Sequence, residues 1–335
     1  RAAEKGDLES LSIFITNQPW LINFADSRDG GKTALHYAAG LGKVDVVVAL
    51  LAAGADVLQP TTMGSTPMML AAENGQAAVI SVLNSAVNNV DFVNNYGSTV
   101  MHYAAEGGDV KALKAALAAG GNPNAIDKRY KTPLHLLAEA GCTESMAVIL
   151  NNPQTRVNQR DEWGYTAGHL AVERGHHHLL PMLKVAGADL DIGNNHGKTA
   201  GHLAAEKCYS EALESLFELQ ANLNLFDFYD FNIAMSAVTR NCSTIIEGLK
   251  NFGVDLDASN SHNKTAAHMA AEAGNLLAIK ELHRLGAKVL LPKSVYGQTP
   301  LDQANEYTDD EATKNGRAAV AKYLNSLKQA QAREL

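Results

Sequence analysis

The amino-acid sequence predicts a mainly α fold in which short helix-turn-helix units with hairpin fingers stack as a solenoid. Three observations carry that reading. One pattern returns along the whole chain: GKTALHYAAGLG from Gly31, GSTPMMLAAENG from Gly64, GSTVMHYAAEGG from Gly97, YKTPLHLLAEAG from Tyr130, GYTAGHLAVERG from Gly164, GKTAGHLAAEKC from Gly197, NKTAAHMAAEAG from Asn263 and a shorter GQTPLDQANEY from Gly297. Its threonines stand at Thr33, Thr66, Thr99, Thr132, Thr166, Thr199, Thr265 and Thr299, with Asn232 in the remaining register, so every step is 33 or 34 residues. Alanine supplies 52 of the 335 residues and aromatics only 6%, which requires an interior of small side chains packed close. A period of this length means that each unit buries its apolar face only against its neighbours. It also overrides the two domains that length alone would suggest.

The elements follow in order. AAEKGDLESL from Ala2 matches the later half of a first helix and the start of a second, which marks residues 1–27 as a partial repeat. Residues 28–296 form the array. In each unit the Thr is an N-cap, its hydroxyl placed to accept an otherwise orphaned backbone N–H. Pro67, Pro133 and Pro300 follow it at the first helical position, where a missing N–H costs nothing. The second helix carries an apolar stripe, as at Val44, Val47, Val48 and Leu51, and stops at a glycine such as Gly54. A polar finger then leads to the next Thr. Residues 297–335 are a capping repeat in which Asp302 replaces the usual His, a polar stretch occupies 305–315, and a closing helix covers about 318–327. A polar-faced end is what a solenoid terminus needs. At ~10 Å per helix layer the whole would make a curved rod on the order of 90 to 100 Å long.

The 33-residue unit and its TPLH signature, complete at Thr132 to His135, resemble the ankyrin-repeat family over nearly the whole sequence. The resemblance implies an ankyrin-repeat solenoid of about nine full repeats plus a partial N-terminal one. It also implies a noncatalytic protein-protein interaction scaffold or adaptor that binds a partner segment in the concave groove. The alternative is the targeting or substrate-recruiting arm of a larger enzyme, channel or bacterial effector whose active part is absent from this chain. An effector of that kind would work in a host cytosol.

Composition narrows the rest. With 28 Lys and Arg against 36 Asp and Glu the net charge is −8, and the pI is near 5.8, so no nucleic-acid partner is expected. No apolar run approaches the ~18 residues of a membrane span, and the start has no signal-peptide layout. Cys142, Cys208 and Cys242 form no CxxC pair and are read as packing residues in a reducing, cytoplasmic compartment, not as a disulfide framework. A monomer is expected.

Candidate chemistry is sparse. His36, His102, His135, His169, His202 and His268 occupy one register, several with Glu four residues later. Zinc needs ligands at ~2.0 to 2.1 Å, whereas neighbouring units stand ~10 Å apart, so these rings cannot share an ion. They are expected to bond the backbone of the finger and lock adjacent units. His176, His177 and His178 lie in an interhelical turn, with a transition-metal site as the alternative to a structural role. No GxSxG, P-loop or strand-placed GxGxxG is present, and no nucleophile, base and stabiliser converge, so neither an enzyme nor a cofactor or metal is expected.

What remains is surface. The resemblance places partner contacts on the fingers and at the ends of the first helices. The finger-tip position, three before Thr, holds Met63, Tyr96, Arg129, Trp163, His196, Tyr229, His262 and Tyr296. The seventh finger, LFDFYDFN, concentrates Phe226, Phe228, Tyr229 and Phe231 where the usual Gly and Thr are lost, and Trp163 and Tyr165 lie two units earlier. Helix ends supply Arg174, Lys207 and Arg240. The predicted partner-binding set is therefore Arg129, Tyr130, Trp163, Tyr165, Arg174, His196, Lys207, Phe228, Tyr229, Phe231 and Arg240, taking an extended or helical segment with apolar anchors and some acidic residues. The structural alternative is that the Phe cluster plugs a joint left open by the degenerate repeat. Lys32, Lys131, Lys198 and Lys264 face the Glu row that runs from Glu73 to Glu306, so partial self-neutralisation is expected.

Overall fold

The computed structural model describes residues 2–87, 90–290, 293–306 and 310–334. The chain divides into two compact units, Arg1–Leu170 and Ala171–Leu335. The first contains α1 (Ala2–Lys5), α2 (Leu8–Asn17), α3 (Ala34–Gly40), α4 (Val44–Ala52), α5 (Pro67–Glu73), α6 (Ala77–Ala86), α7 (Val100–Gly107), α8 (Val110–Ala118), α9 (Pro133–Ala140) and α10 (Thr143–Leu150). The boundary falls within α11 (Ala167–Glu173). The second unit continues with α12 (Leu180–Val185), α13 (Ala200–Glu206), α14 (Ser210–Glu218), α15 (Ile233–Thr239), α16 (Ile246–Asn251), α17 (Ala266–Glu272), α18 (Leu276–Arg284), α19 (Pro300–Ala304) and α20 (Glu311–Glu334).

Helices begin where the Thr register says they should. Thr33, Thr66, Thr99, Thr132, Thr199, Thr265 and Thr299 are N-caps in extended conformation. Asn232 takes over the cap from Thr, its side-chain oxygen accepting the Met235 N–H at 2.9 Å. In the first unit, first helices stack in one row (α3, α5, α7, α9) and second helices in another (α4, α6, α8, α10). Alanines let the first row approach closely: Ala38, Ala39, Ala71, Ala72, Ala104 and Ala105 are completely buried. The second unit repeats the scheme with α13, α15, α17 and α19 in one row and α14, α16 and α18 in the other.

Long α20 packs on α17, α18 and α19. It extends further both ways than the sequence pattern suggests. Its contact is tight at Gly316, where an added Cβ would lie 2.6 Å from the Gly274 carbonyl oxygen. Of the expected polar stretch at 305–315, residues 307–309 lie outside the described residues.

The fingers are tight turns; among the described residues there is no β-strand, only an isolated bridge between Asp26 and Lys32. In a typical finger the Asp127 N–H donates to the Lys131 carbonyl at 3.0 Å, while Asp127 Oδ1 accepts from the backbone of Arg129 and Lys131. Successive fingers are tied by single backbone bonds, from Asn95 to Met63, Lys128 to Tyr96 and Glu162 to Arg129, all at 2.9 Å. The second unit has the same tie from Phe228 to His196 at 2.9 Å and from Val295 to His262 at 2.8 Å.

Candidate functional site

The six periodic histidines are structural. Each ring Nδ1 sits 3.1 or 3.2 Å from the backbone N–H of its capping Thr and accepts from it. Nε2 therefore carries the proton. It donates to a carbonyl of the following finger: His36 to Ser65, His102 to Lys131, His135 to Tyr165, His202 to Phe231 and His268 to Gln298, at 2.9 to 3.1 Å. Burial pushes the pKa of His36, His102, His135 and His202 below the ordinary imidazole value. These rings stay neutral and fastened. Among the described residues no group of three His, Cys, Asp or Glu side chains is placed to hold a metal ion.

The cysteines correct the reading of all three as simple packing residues. Cys208 and Cys242, at the interhelical turns of successive repeats, are joined in a disulfide with Cα atoms 5.2 Å apart. The missed signal is positional. Cys208 takes the left-handed turn site that Gly108, Gly141 and Gly175 hold elsewhere, with φ of 57°, and Cys242 stands 34 residues on, at the start of the next repeat's second-helix segment. Cys142 is free.

Four of the eleven predicted partner residues lie in the first unit. Trp163 is 47% exposed, and the guanidinium of Arg129 and the ammonium of Lys131 approach its ring to 5.8 and 5.9 Å. Arg129 also lies 3.8 Å from Glu162. Tyr130 is exposed, with φ of 59° at a site usually given to glycine. Tyr165 is only half-exposed: its ring stacks on His169 with centroids 5.5 Å apart, and its carbonyl accepts from His135. It is a packing residue first.

The other seven lie in the second unit. Phe228 is the most exposed of the aromatic set at 77%, its ring resting against Gly197. Tyr229, at 59%, shares a hydrogen bond between its hydroxyl and His196 Nδ1 at 2.8 Å while the two rings stack. Phe231 is half-buried and its carbonyl receives His202. Arg174 and Arg240 are exposed at helix ends. Lys207 is exposed but bonded to Glu173 at 2.8 Å, a pairing that one-repeat inspection misses because the partners belong to successive units.

The Lys and Glu row behaves as expected in three registers. Lys131 meets Glu139 at 2.7 Å, Lys264 meets Glu272 at 3.0 Å, and Lys198 pairs with Glu206. Lys32 turns instead to Asp29 at 3.2 Å, since Gly40 stands where a glutamate would be.

Rows of helix pairs, fastened by imidazoles to hydrogen-bonded fingers, define a helical-repeat protein. A family model for ankyrin repeats matches in three copies, over residues 1–91, 80–161 and 134–227, and the chain belongs to the ankyrin-repeat family. Against curated proteins it shows no match. Ankyrin repeats are in general noncatalytic protein-protein interaction modules. Among the described residues no helix is long and apolar enough to cross a membrane.

Proposed function

We propose that this chain is a noncatalytic scaffold or adaptor that binds a segment of another protein through its finger tips. The observation that carries the reading is the exposure of Trp163, Phe228 and Tyr229 on fingers held rigid by backbone bonds. A ring 77% exposed is not a plug for a joint, which favours a partner over the packing alternative for Phe228. Large aromatics that are pre-positioned lose little conformational freedom on association and are enriched at hot spots. Arg129 supplies positive charge beside Trp163 in the first unit, and Arg240 supplies it in the second, which suits a segment with apolar anchors and some acidic residues. In the second unit Arg174, His196 and Lys207 join Phe228 and Tyr229 in the set, Lys207 with its charge already shared with Glu173. Tyr130 contributes an exposed ring, and Tyr165 and Phe231 support from beneath. The protein acts as a cytoplasmic monomer.

The test compares wild type with a variant carrying Trp163→Ala, Phe228→Ala and Tyr229→Ala, first in affinity capture and then in titration with the captured partner. Each true anchor should cost at least ~1 to 2 kcal/mol of binding, with the helical spectrum unchanged. A folded triple variant that retains wild-type affinity removes the reading.

A further inference from the structure

In the first unit one ammonium site is filled by the chain itself. Lys131 Nζ lies 2.7 Å from Glu139 Oε2 and 5.9 Å from the centroid of Trp163, so a carboxylate at the end of a first helix and an aromatic ring on the following finger tip hold one cation together. Two repeats earlier the same positions carry Glu73 and Tyr96, but the lysine position holds Ser65. Ser65 is drawn away from Glu73: its hydroxyl is 2.6 Å from the hydroxyl of Tyr103, to which Asn94 also donates at 2.9 Å. Glu73 is exposed, and its pKa is lifted by partial burial and by repulsion from Glu106, one repeat on, which together outweigh the opposing attraction of Lys32, itself paired with Asp29. The lysine position of the Glu106 repeat is also a serine, Ser98. Tyr96 is 56% exposed, its hydroxyl 3.6 Å from Met63 Sδ, and Met63 is 54% exposed beside it.

We infer that Glu73, Tyr96 and Met63 form a docking site for a lysine or arginine side chain of a partner protein, flanked in that partner by an apolar residue that rests on Met63. Lys131 shows the chemistry such a site selects: a cation accepted by a carboxylate and covered by a ring face. Glu106 adds a second negative charge and draws a basic segment to this face. The inference rests on the reading of the chain as a protein-binding module and names what the first unit would recognise.

The experiment selects peptides from a random display library on the immobilised full chain, then measures each selected peptide against wild type, Glu73→Gln and Ser65→Lys. Peptides enriched on wild type should carry Lys or Arg next to an apolar residue. Glu73→Gln should weaken them about tenfold or more. Ser65→Lys should weaken them as strongly, because it places the chain's own ammonium in the site, and thermal unfolding of that variant checks that it folds. Enriched peptides without a basic residue, basic peptides that bind both variants as well as wild type, or no enrichment at all overturn the proposal. A dimer that forms in the library's place and dissolves on Glu73→Gln overturns it too. Loss of the native partner by the aromatic triple variant with no such basic selection would sink this site and leave the module reading standing.

Discussion

His102 Nε2 donates to the Lys131 carbonyl at 2.9 Å, and the same Lys131 sends its ammonium to Glu139. One finger residue thus receives the fastening of the preceding helix through its backbone and that of its own helix through its side chain. Removing the ring leaves both the Lys131 carbonyl and the Thr99 N–H without these partners in a buried place. His102→Ala should cost ~1 to 3 kcal/mol, read as a lower urea midpoint at unchanged slope.

The pH dependence follows from the depressed histidines. His36, His102, His135 and His202 bind a proton less readily folded than unfolded, because burial disfavours the charged ring. Stability is therefore full above the unfolded value of ~6.5 and falls as pH drops from there toward the lower folded values. Thermal midpoints taken at stepped pH from neutrality downward should decline in that window. A flat profile would contradict the neutral, fastened rings.

Met69 occupies the imidazole position in the second full repeat. Its sulfur accepts the Thr66 N–H at 3.4 Å, which replaces the Nδ1 role, but a thioether has no proton to offer the next finger. Met69→His should add that donor, aimed at the Ser98 carbonyl. A gain of ~0.5 to 1.5 kcal/mol is expected, measured by chemical denaturation.

A second covalent tie can be built from the geometry of the first. A Cβ added at Gly108 would stand 3.1 Å from Cys142 Sγ, and Gly108 has φ of 69°, near the 57° that Cys208 adopts. Positions 108 and 142 are spaced as 208 and 242 are. Gly108→Cys should therefore cross-link to Cys142 on mild oxidation, seen by mass spectrometry as a peptide pair that reduction separates. Cys142→Ser in the same background should abolish it.

Gly197 and Gly297 share φ of 75° but differ in surroundings. A Cβ at Gly197 would come within 2.5 Å of Phe228, whereas one at Gly297 would meet nothing within 4 Å. Both alanine variants carry the left-handed strain of ~1 kcal/mol or more. Only Gly197→Ala should also displace Phe228 and weaken partner binding, which separates the two in a titration.

Helix starts and the imidazole fastening were legible because both depend on residues a fixed distance apart in one repeat or the next. Asn232 illustrates it: the helix it caps survives loss of the consensus because Asn offers the same acceptor as Thr. Side chains on the fingers were legible only in part. Trp163, Phe228 and Tyr229 are exposed, whereas Tyr165 and Phe231 turn partly inward, since local packing decides a ring's direction where the backbone alone is periodic. The pairing of Lys207 with Glu173 and of Cys208 with Cys242 needs the three-dimensional neighbour relation between repeats, which a pattern search inside one repeat does not supply.

The imidazole ties of His36, His102, His135, His202 and His268 span 29 residues, or 30 where the period itself lengthens to 34. Each reaches the next finger and no further. Gene duplication or excision of one whole period would therefore leave every surviving fastening with a matching acceptor, so an ancestor of this chain could grow or shrink by single units while remaining a foldable protein at each intermediate length.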